Sequence, residues 1–174
     1  KRNDQISSTP FIGATSLLLT GKETGSDMLS VNEISLEKGS KSDYYIISNV
    51  EETLFVSEGS VTFRLGDNIF NAYKGDCLLA KKSEPHGFEN TGNSKAVIIT
   101  MSPSVKLDKE LLEEPNFKHS KPDNGFFDRS KNEPYEFEPG IMRYDMVGDF
   151  LGAESTYFSE LILNPGAAAP NHYH

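Results

Sequence analysis

Glu58-Gly59-Ser60-Val61-Thr62-Phe63-Arg64-Leu65-Gly66-Asp67-Asn68-Ile69-Phe70-Asn71-Ala72 contains two runs rich in β-branched and aromatic residues, Val61–Leu65 and Ile69–Ala72, divided by Gly66-Asp67-Asn68. Branched and aromatic side chains pack well on a pleated surface, and a Gly-Asp-Asn loop supplies the backbone freedom of a tight hairpin. The same texture extends in both directions. Upstream, Met28–Leu36 alternates, with Met28, Ser30, Asn32 and Ile34 on one side and Leu29, Val31, Glu33 and Ser35 on the other. Glu37-Lys38-Gly39-Ser40 breaks that run, and Tyr44–Val50 and Leu54–Val56 follow. Downstream, Gly75-Asp76 precedes Cys77–Ala80, and Phe88 with the turn at Asn90–Asn93 leads into the apolar run Ala96–Met101. Seven or eight short strands at this spacing, with little helical periodicity, predict an all-β sandwich or barrel rather than a parallel sheet with crossover helices.

Beyond Pro103 the pattern changes. Leu107–Glu114 has the spacing of two helical turns. Pro115–Pro139 is polar, with prolines at 115, 122, 134 and 139, yet it carries Phe117, Phe126, Phe127, Tyr135 and Phe137. It therefore reads as a covering loop or linker that packs on another part of the protein rather than floating free. Strand texture returns at Ile141–Val147 and Thr156–Leu163. With 174 residues, eleven Phe and seven Tyr the chain can bury a substantial core. A net charge of −9 without a Lys/Arg stripe argues against a nucleic-acid partner. No apolar run approaches the 18 residues of a membrane span. The single Cys77 excludes an internal disulfide and fits a reducing, cytoplasmic setting. Cys77 reads as a small buried residue, and His119 as a solvated one. The opening Lys1-Arg2-Asn3-Asp4, without an initiator Met, suggests a chain trimmed at this end.

Two spaced sets of residues carry a resemblance. Gly39, Glu52 and Gly59 fall in the register Gly, five residues, His-x-His, four residues, Glu, six residues, Gly, with Tyr45 and Ile47 in the two His places. Gly75, His86 and Asn90 fall in the register Gly, five residues, Pro-x-Gly, two residues, His, three residues, Asn, with Lys81, Lys82 and Ser83 in the Pro-x-Gly places. In these features the stretch 25–103 resembles the cupin superfamily. The resemblance implies a cupin-type antiparallel β-barrel, the RmlC-like jelly roll or double-stranded β-helix. It also implies an inward-facing site that holds Fe, Mn, Ni or Zn through two His from one strand, a Glu and a third His. Residues two apart on a strand share a face, which is why a His-x-His pair can meet one ion.

In this barrel the pair is missing. Ile47 has no donor atom, and Tyr45 would have to lose a proton of reference pKa about 10. Tyr45, Ile47, Glu52, His86 and Asn90 are then a metal-free pocket for a small ligand, or, for Glu52 and His86, the two-ligand remnant of a metal site. A second motif closes the chain: Gly166, five residues, His172-Tyr173-His174, preceded by the strand-like Tyr157–Leu163. Aligned with Ile34–Gly39, the segment Ile162–Gly166 reads as an internal repeat, so His172 and His174 are metal ligands opening a second barrel. A tag remnant, a further strand of the first domain, or a tail that folds back toward His86 and Glu52 are the competing readings. The division expected is an N-terminal arm and edge strand over 1–24, a first barrel over 25–103, a linker with a short helix over 104–140, and an incomplete second barrel over 141–174. By resemblance, the function is that of a two-barrel metalloenzyme of dioxygenase, decarboxylase, isomerase or amidohydrolase type acting on a small organic molecule. The catalytic metal is expected in the second barrel, and the protein is expected to be a homodimer. The rival is a non-enzymatic cupin that binds a small ligand or serves as a dimerisation module.

Overall fold

Val61, Phe63 and Leu65 point into a hydrophobic core while Thr62 and Arg64 point out, and this alternation repeats in two facing layers. The computed structural model describes residues 6–122 and 124–169. Sixteen strands succeed one another along the described chain: β1 (Ser7–Ser8), β2 (Ala14–Thr20), β3 (Ser30–Leu36), β4 (Tyr45–Ile47), β5 (Glu52–Glu58), β6 (Ser60–Leu65), β7 (Asn68–Tyr73), β8 (Cys77–Ala80), β9 (His86–Glu89), β10 (Ala96–Ser102), β11 (Lys109–Leu111), β12 (Lys118–His119), β13 (Phe126–Phe127), β14 (Tyr135–Glu138), β15 (Ile141–Val147) and β16 (Phe158–Leu163). One sheet has the order β1-β2-β3-β10-β5-β8-β13, and a second β11-β4-β9-β6-β7-β12. From β3 to β10 the chain passes back and forth between these two layers, the winding of a jelly roll. Leu36, Leu54, Val56, Phe63, Leu78, Phe88 and Ile98 fill the space between them. The β6–β7 hairpin closes through Gly66 at φ 54, a left-handed backbone that glycine adopts without a Cβ clash.

A third sheet, β14-β15-β16, covers the outer face of the first. Met146 and Val147 pack with Phe127, Cys77 and Leu79, and Phe158 meets Phe55 at 5.5 Å between ring centroids. Strand β8 is therefore covered on both faces, which explains why Cys77-Leu78-Leu79-Ala80 is apolar without alternation. Glu51, 3% exposed, ties the layers together by accepting the amides of Glu154 at 2.8 Å and Ser155 at 2.9 Å. Burial pushes its carboxyl up, but the bonds from Glu154, Thr156 and Ser155 outweigh that and hold its pKa below the ordinary value. A depressed folded-state pKa stabilises the protein above the unfolded value and is lost as pH falls through the folded one. Glu51→Gln should cost about 1.5–3 kcal/mol at pH 7 in urea unfolding, with the difference shrinking below a pH of about 4. A penalty that persists unchanged in acid would show that the carboxylate charge is not what matters.

Two expectations are corrected here. Leu107–Glu114 forms no helix. Lys109–Leu111 is extended and pairs with β4, because an open sheet edge offers backbone partners that two exposed helical turns do not. The repeat is real, but its register differs by one residue from the alignment of Ile34 with Ile162. β2 pairs with β3 as Ser16↔Ile34, Leu17↔Glu33 and Leu18↔Asn32, and β15 pairs with β16 as Arg143↔Leu161, Tyr144↔Glu160 and Asp145↔Ser159. The offset is 140 minus 13, or 127 residues, and it has no gap: the left-handed glycines Gly13, Gly25 and Gly39 recur as Gly140, Gly152 and Gly166. Even the register shift between Leu18 and Thr20 recurs between Asp145 and Val147. The bond from the Glu37 amide to the Gly13 carbonyl recurs from Asn164 to Gly140, each at 2.9 Å.

Candidate functional site

Between the two main sheets lies a cavity of about 250 Å³. Ser16 of β2, Asn32 and Ile34 of β3, Thr100 of β10 and Glu52 of β5 form one wall; Asp43, Tyr45, Ile47 and Phe88 form the other. Phe11, Leu107 and Lys109 complete its rim. Tyr45 and Ile47 share the inner face of β4 because they are two residues apart, and both are buried.

His86 faces Tyr45 across the β4–β9 ladder, and both bond to Glu52. The Tyr45 hydroxyl donates to Glu52 Oε2 at 2.8 Å, and His86 Nε2 lies 2.9 Å from the same oxygen. His86 Nδ1 is 2.8 Å from the Glu84 carbonyl, which only accepts, so Nδ1 carries a proton. The Nε2–Oε2 contact needs a second proton, held either as imidazolium and carboxylate or as imidazole and carboxylic acid. The pair is net neutral both ways. Burial, then the charge and hydrogen bond of Glu52, push the Tyr45 hydroxyl well above its ordinary pKa, so it stays a donor.

These residues do not fit a metal. Ile47 offers no ligand, Tyr45 keeps its proton, and Glu52 and His86 satisfy each other. Among the described residues no group of three or more His, Cys, Asp or Glu could hold an ion. The cavity does carry charge. The Lys109 ammonium sits 3.6 Å from the Tyr45 ring centroid, where burial lowers its pKa against the opposing pull of Glu52 and Asp43.

The structure does not place every expected residue at the cavity. Asn90 is not on its wall: its amide nitrogen donates to the carbonyls of Leu36 and Ser94, and its oxygen accepts from Gly92, so it ties a loop. Lys109 was hidden by the helical reading of its segment. The alternation Leu107-x-Lys109, with both side chains on the cavity, is the signal that a strand reading would have used. Ser83 stands at φ 60, a left-handed backbone in the place where the motif has Gly. Cys77 is fully buried, and burial pushes its thiol far above the reactive range. His119 is exposed on β12. His172 and His174 lie outside the described residues. No described helix is long and apolar enough to cross a membrane.

A two-layer jelly roll with a strand pair, a Glu and a His converging on its interior is the architecture of a cupin. Residues 32–102 match the cupin domain family, and the chain carries a cupin domain. No curated protein matches the chain. Among solved structures, an oxalate decarboxylase variant from B. subtilis is similar at TM-score 0.73 and 14% identity, over 95% of this chain and 57% of that one. The 7S globulin of Momordica charantia gives 0.65 and 10%, over 86% and 56%. The polyketide cyclase of Streptomyces resistomycificus gives 0.56 and 17%, over 67% and 87%. At these identities the likeness is one of fold.

Proposed function

We propose that this chain is the N-terminal part of a two-barrel cupin metalloenzyme acting on a small organic molecule, with its first barrel metal-free. The observation that carries this reading is the gapless repeat. Continued past Gly166, the offset brings His172 onto Tyr45 and His174 onto Ile47, so the two lost ligand positions of the first barrel are histidines in the second. The similarity to oxalate decarboxylase supports it, because 95% of this chain, third sheet included, matches little more than half of that one. His172 and His174 would hold the divalent Fe, Mn, Ni or Zn ion, joined by ligands from later strands. Such an ion polarises a bound oxygen or binds substrate and dioxygen together. The first barrel's role is to bind a small ligand and to brace the second repeat through Glu51 and the Met146–Phe158 packing.

Elemental analysis of the intact gene product tests this reading. About one transition-metal ion per chain is expected, lost in the variant His172→Ala/His174→Ala while the circular dichroism of the fold is kept. An intact protein that purifies without metal, and takes up none when it is offered, would favour the alternative of a non-enzymatic ligand-binding or dimerisation cupin.

A further inference from the structure

We infer that the cavity of the first barrel binds a neutral polyhydroxylated molecule, a short polyol or a monosaccharide, and turns anions away. The inference rests on the reading that the first barrel holds a small ligand, and adds to it the chemical class.

Four neighbouring strands of the first sheet, in the order β2-β3-β10-β5, each set one polar side chain on the cavity: Ser16, Asn32, Thr100 and Glu52. Asn32 and Thr100 are partners across the β3–β10 ladder. Thr100 in turn pairs with Leu54, which shares a strand face with Glu52. Elsewhere this sheet gives the core Leu36, Leu54, Val56 and Ile98. Ser16 is 8%, Thr100 5% and Glu52 6% exposed. Among the described residues neither hydroxyl has a hydrogen-bond partner, and the Asn32 amide has only a 3.4 Å contact to the Ser30 hydroxyl. Both bonds to Glu52 fall on Oε2, which leaves Oε1 open. Buried polar groups are nearly always satisfied in folded proteins, because an unmade bond costs the desolvation of the group without return. A row of four such groups beside a space of about 250 Å³ is arranged for a guest that supplies the partners.

The donors and acceptors select the class of guest. A hydroxyl both donates and accepts, which suits Ser16, Thr100 and the Asn32 amide, while Glu52 Oε1 takes a donor. It does so whether the proton shared with His86 rests on the imidazole or on Oε2. A carboxylate or phosphate would meet Oε1 without a donor and would face the charge of Asp43 on the opposite wall. The cation on the rim, Lys109, is already drawn to both carboxylates, which oppose the effect of burial on its ammonium. Phe88 and Phe11 meet edge to face at 5.8 Å between ring centroids. With Ile47 they offer an apolar surface to the C–H groups of the guest. The volume lies below the roughly 300–1,000 Å³ of pockets for drug-sized ligands, so the guest is a monosaccharide or smaller.

The test is isothermal titration of the intact gene product carrying His172→Ala/His174→Ala, so that the first barrel alone reports. Glycerol, xylitol and glucose serve as neutral polyols, gluconate as a polyol with a carboxylate, and cyclohexanol as an apolar guest. At least one neutral polyol should bind with a Kd on the order of 1 mM or tighter, and about 10-fold more tightly than gluconate or cyclohexanol. Ser16→Ala/Thr100→Val should weaken that polyol about 10- to 100-fold with circular dichroism unchanged, and Ser16→Ala alone gives the reading if the pair is unstable. Asp43→Asn should narrow the gap between glucose and gluconate. Gluconate or cyclohexanol binding as tightly as the best polyol would overturn the class and leave the barrel a small-ligand binder. Unchanged polyol affinity in the hydroxyl variants would overturn the site. Binding of none of the five would overturn the small-ligand role as well, with water as the partner of these groups. The metal of the second barrel is read separately by elemental analysis, so these failures are distinguishable from the failure of the two-barrel reading.

Discussion

The variant Tyr45→His/Ile47→His is expected to give the first barrel a metal ion by restoring the two ligands that the native barrel lacks. Both positions face the cavity from β4, and the other two members of the ligand set, Glu52 and His86, are still in place. Their spacing suits coordination. Two donors each about 2.1 Å from an ion and at right angles stand about 3.0 Å apart, and Glu52 Oε2 and His86 Nε2 are 2.9 Å apart. Replacing Tyr45 also frees Glu52 from the hydroxyl that now donates to it. The variant should retain about one added equivalent of Zn²⁺ or Mn²⁺ with a Kd on the order of 1 μM or tighter, whereas either single substitution should hold it far more weakly. Titration followed by elemental analysis, in a background with His172 and His174 replaced, isolates the first barrel. A folded double variant that retains no metal after dialysis would mean that the strands do not present these positions as a cage.

The second large effect is on stability. Arg64, 1% exposed, lies on the outer face of the second sheet. Its Nη2 donates to the Ser42 carbonyl at 2.8 Å, the Ser42 hydroxyl at 3.1 Å and the Phe88 carbonyl at 3.1 Å, and Nη1 pairs with Glu114. Arg64→Ala would leave a void, strip the Ser42 carbonyl of its donor and break the pair with Glu114, while the Phe88 carbonyl keeps the Ser42 amide, for a loss of about 3–5 kcal/mol. Arg64→Met, which fills the volume without the charge, should recover part of it. Glu114→Gln acts from the half-exposed end of the pair, where the Lys41 contact is also lost, and should cost less than Arg64→Ala. Urea unfolding of the three variants gives the order. A loss below about 1 kcal/mol for Arg64→Ala would show that the Ser42 carbonyl finds another donor.

The Arg64–Glu114 contact also explains why the segment after Pro103 was hard to read. Composition and periodicity describe a segment on its own, whereas 104–121 takes its conformation from what it lies against. Leu112 donates its amide to Tyr44, Glu114 reaches Arg64 and Lys41, and β11 completes the edge beside β4. None of these partners is near it in sequence, so a helical spacing gave way to an extended strap. The barrel strands were legible because their signals are local: Val61–Leu65 and Ile69–Ala72 around Gly66, and Ile141–Val147 reproduced residue for residue as β15. The inward positions Tyr45 and Ile47 were legible because residues two apart share a strand face, and Glu52 through its place in the motif. Asn90 was not, because a motif position does not say whether a side chain faces the interior or closes a turn. The repeat and its register were visible in Gly39 and Gly166 with the five residues that follow each, but not in the strands before them. Ile34 and Ile162 attract each other in a sequence comparison, while the hydrogen-bonded ladder matches Ile34 with Leu161 and leaves Glu33/Glu160 and Leu36/Leu163 as the identical pairs.

Because residues 13–40 and 140–167 share every left-handed turn, one ladder register and one bulge, either stretch can be spliced in the place of the other without lengthening or trimming a loop. The two stretches are interchangeable parts, so a chimera could carry the strand of Arg143 into the first barrel, or the strand of Ser16 into the third sheet, while the chain path stays as it is.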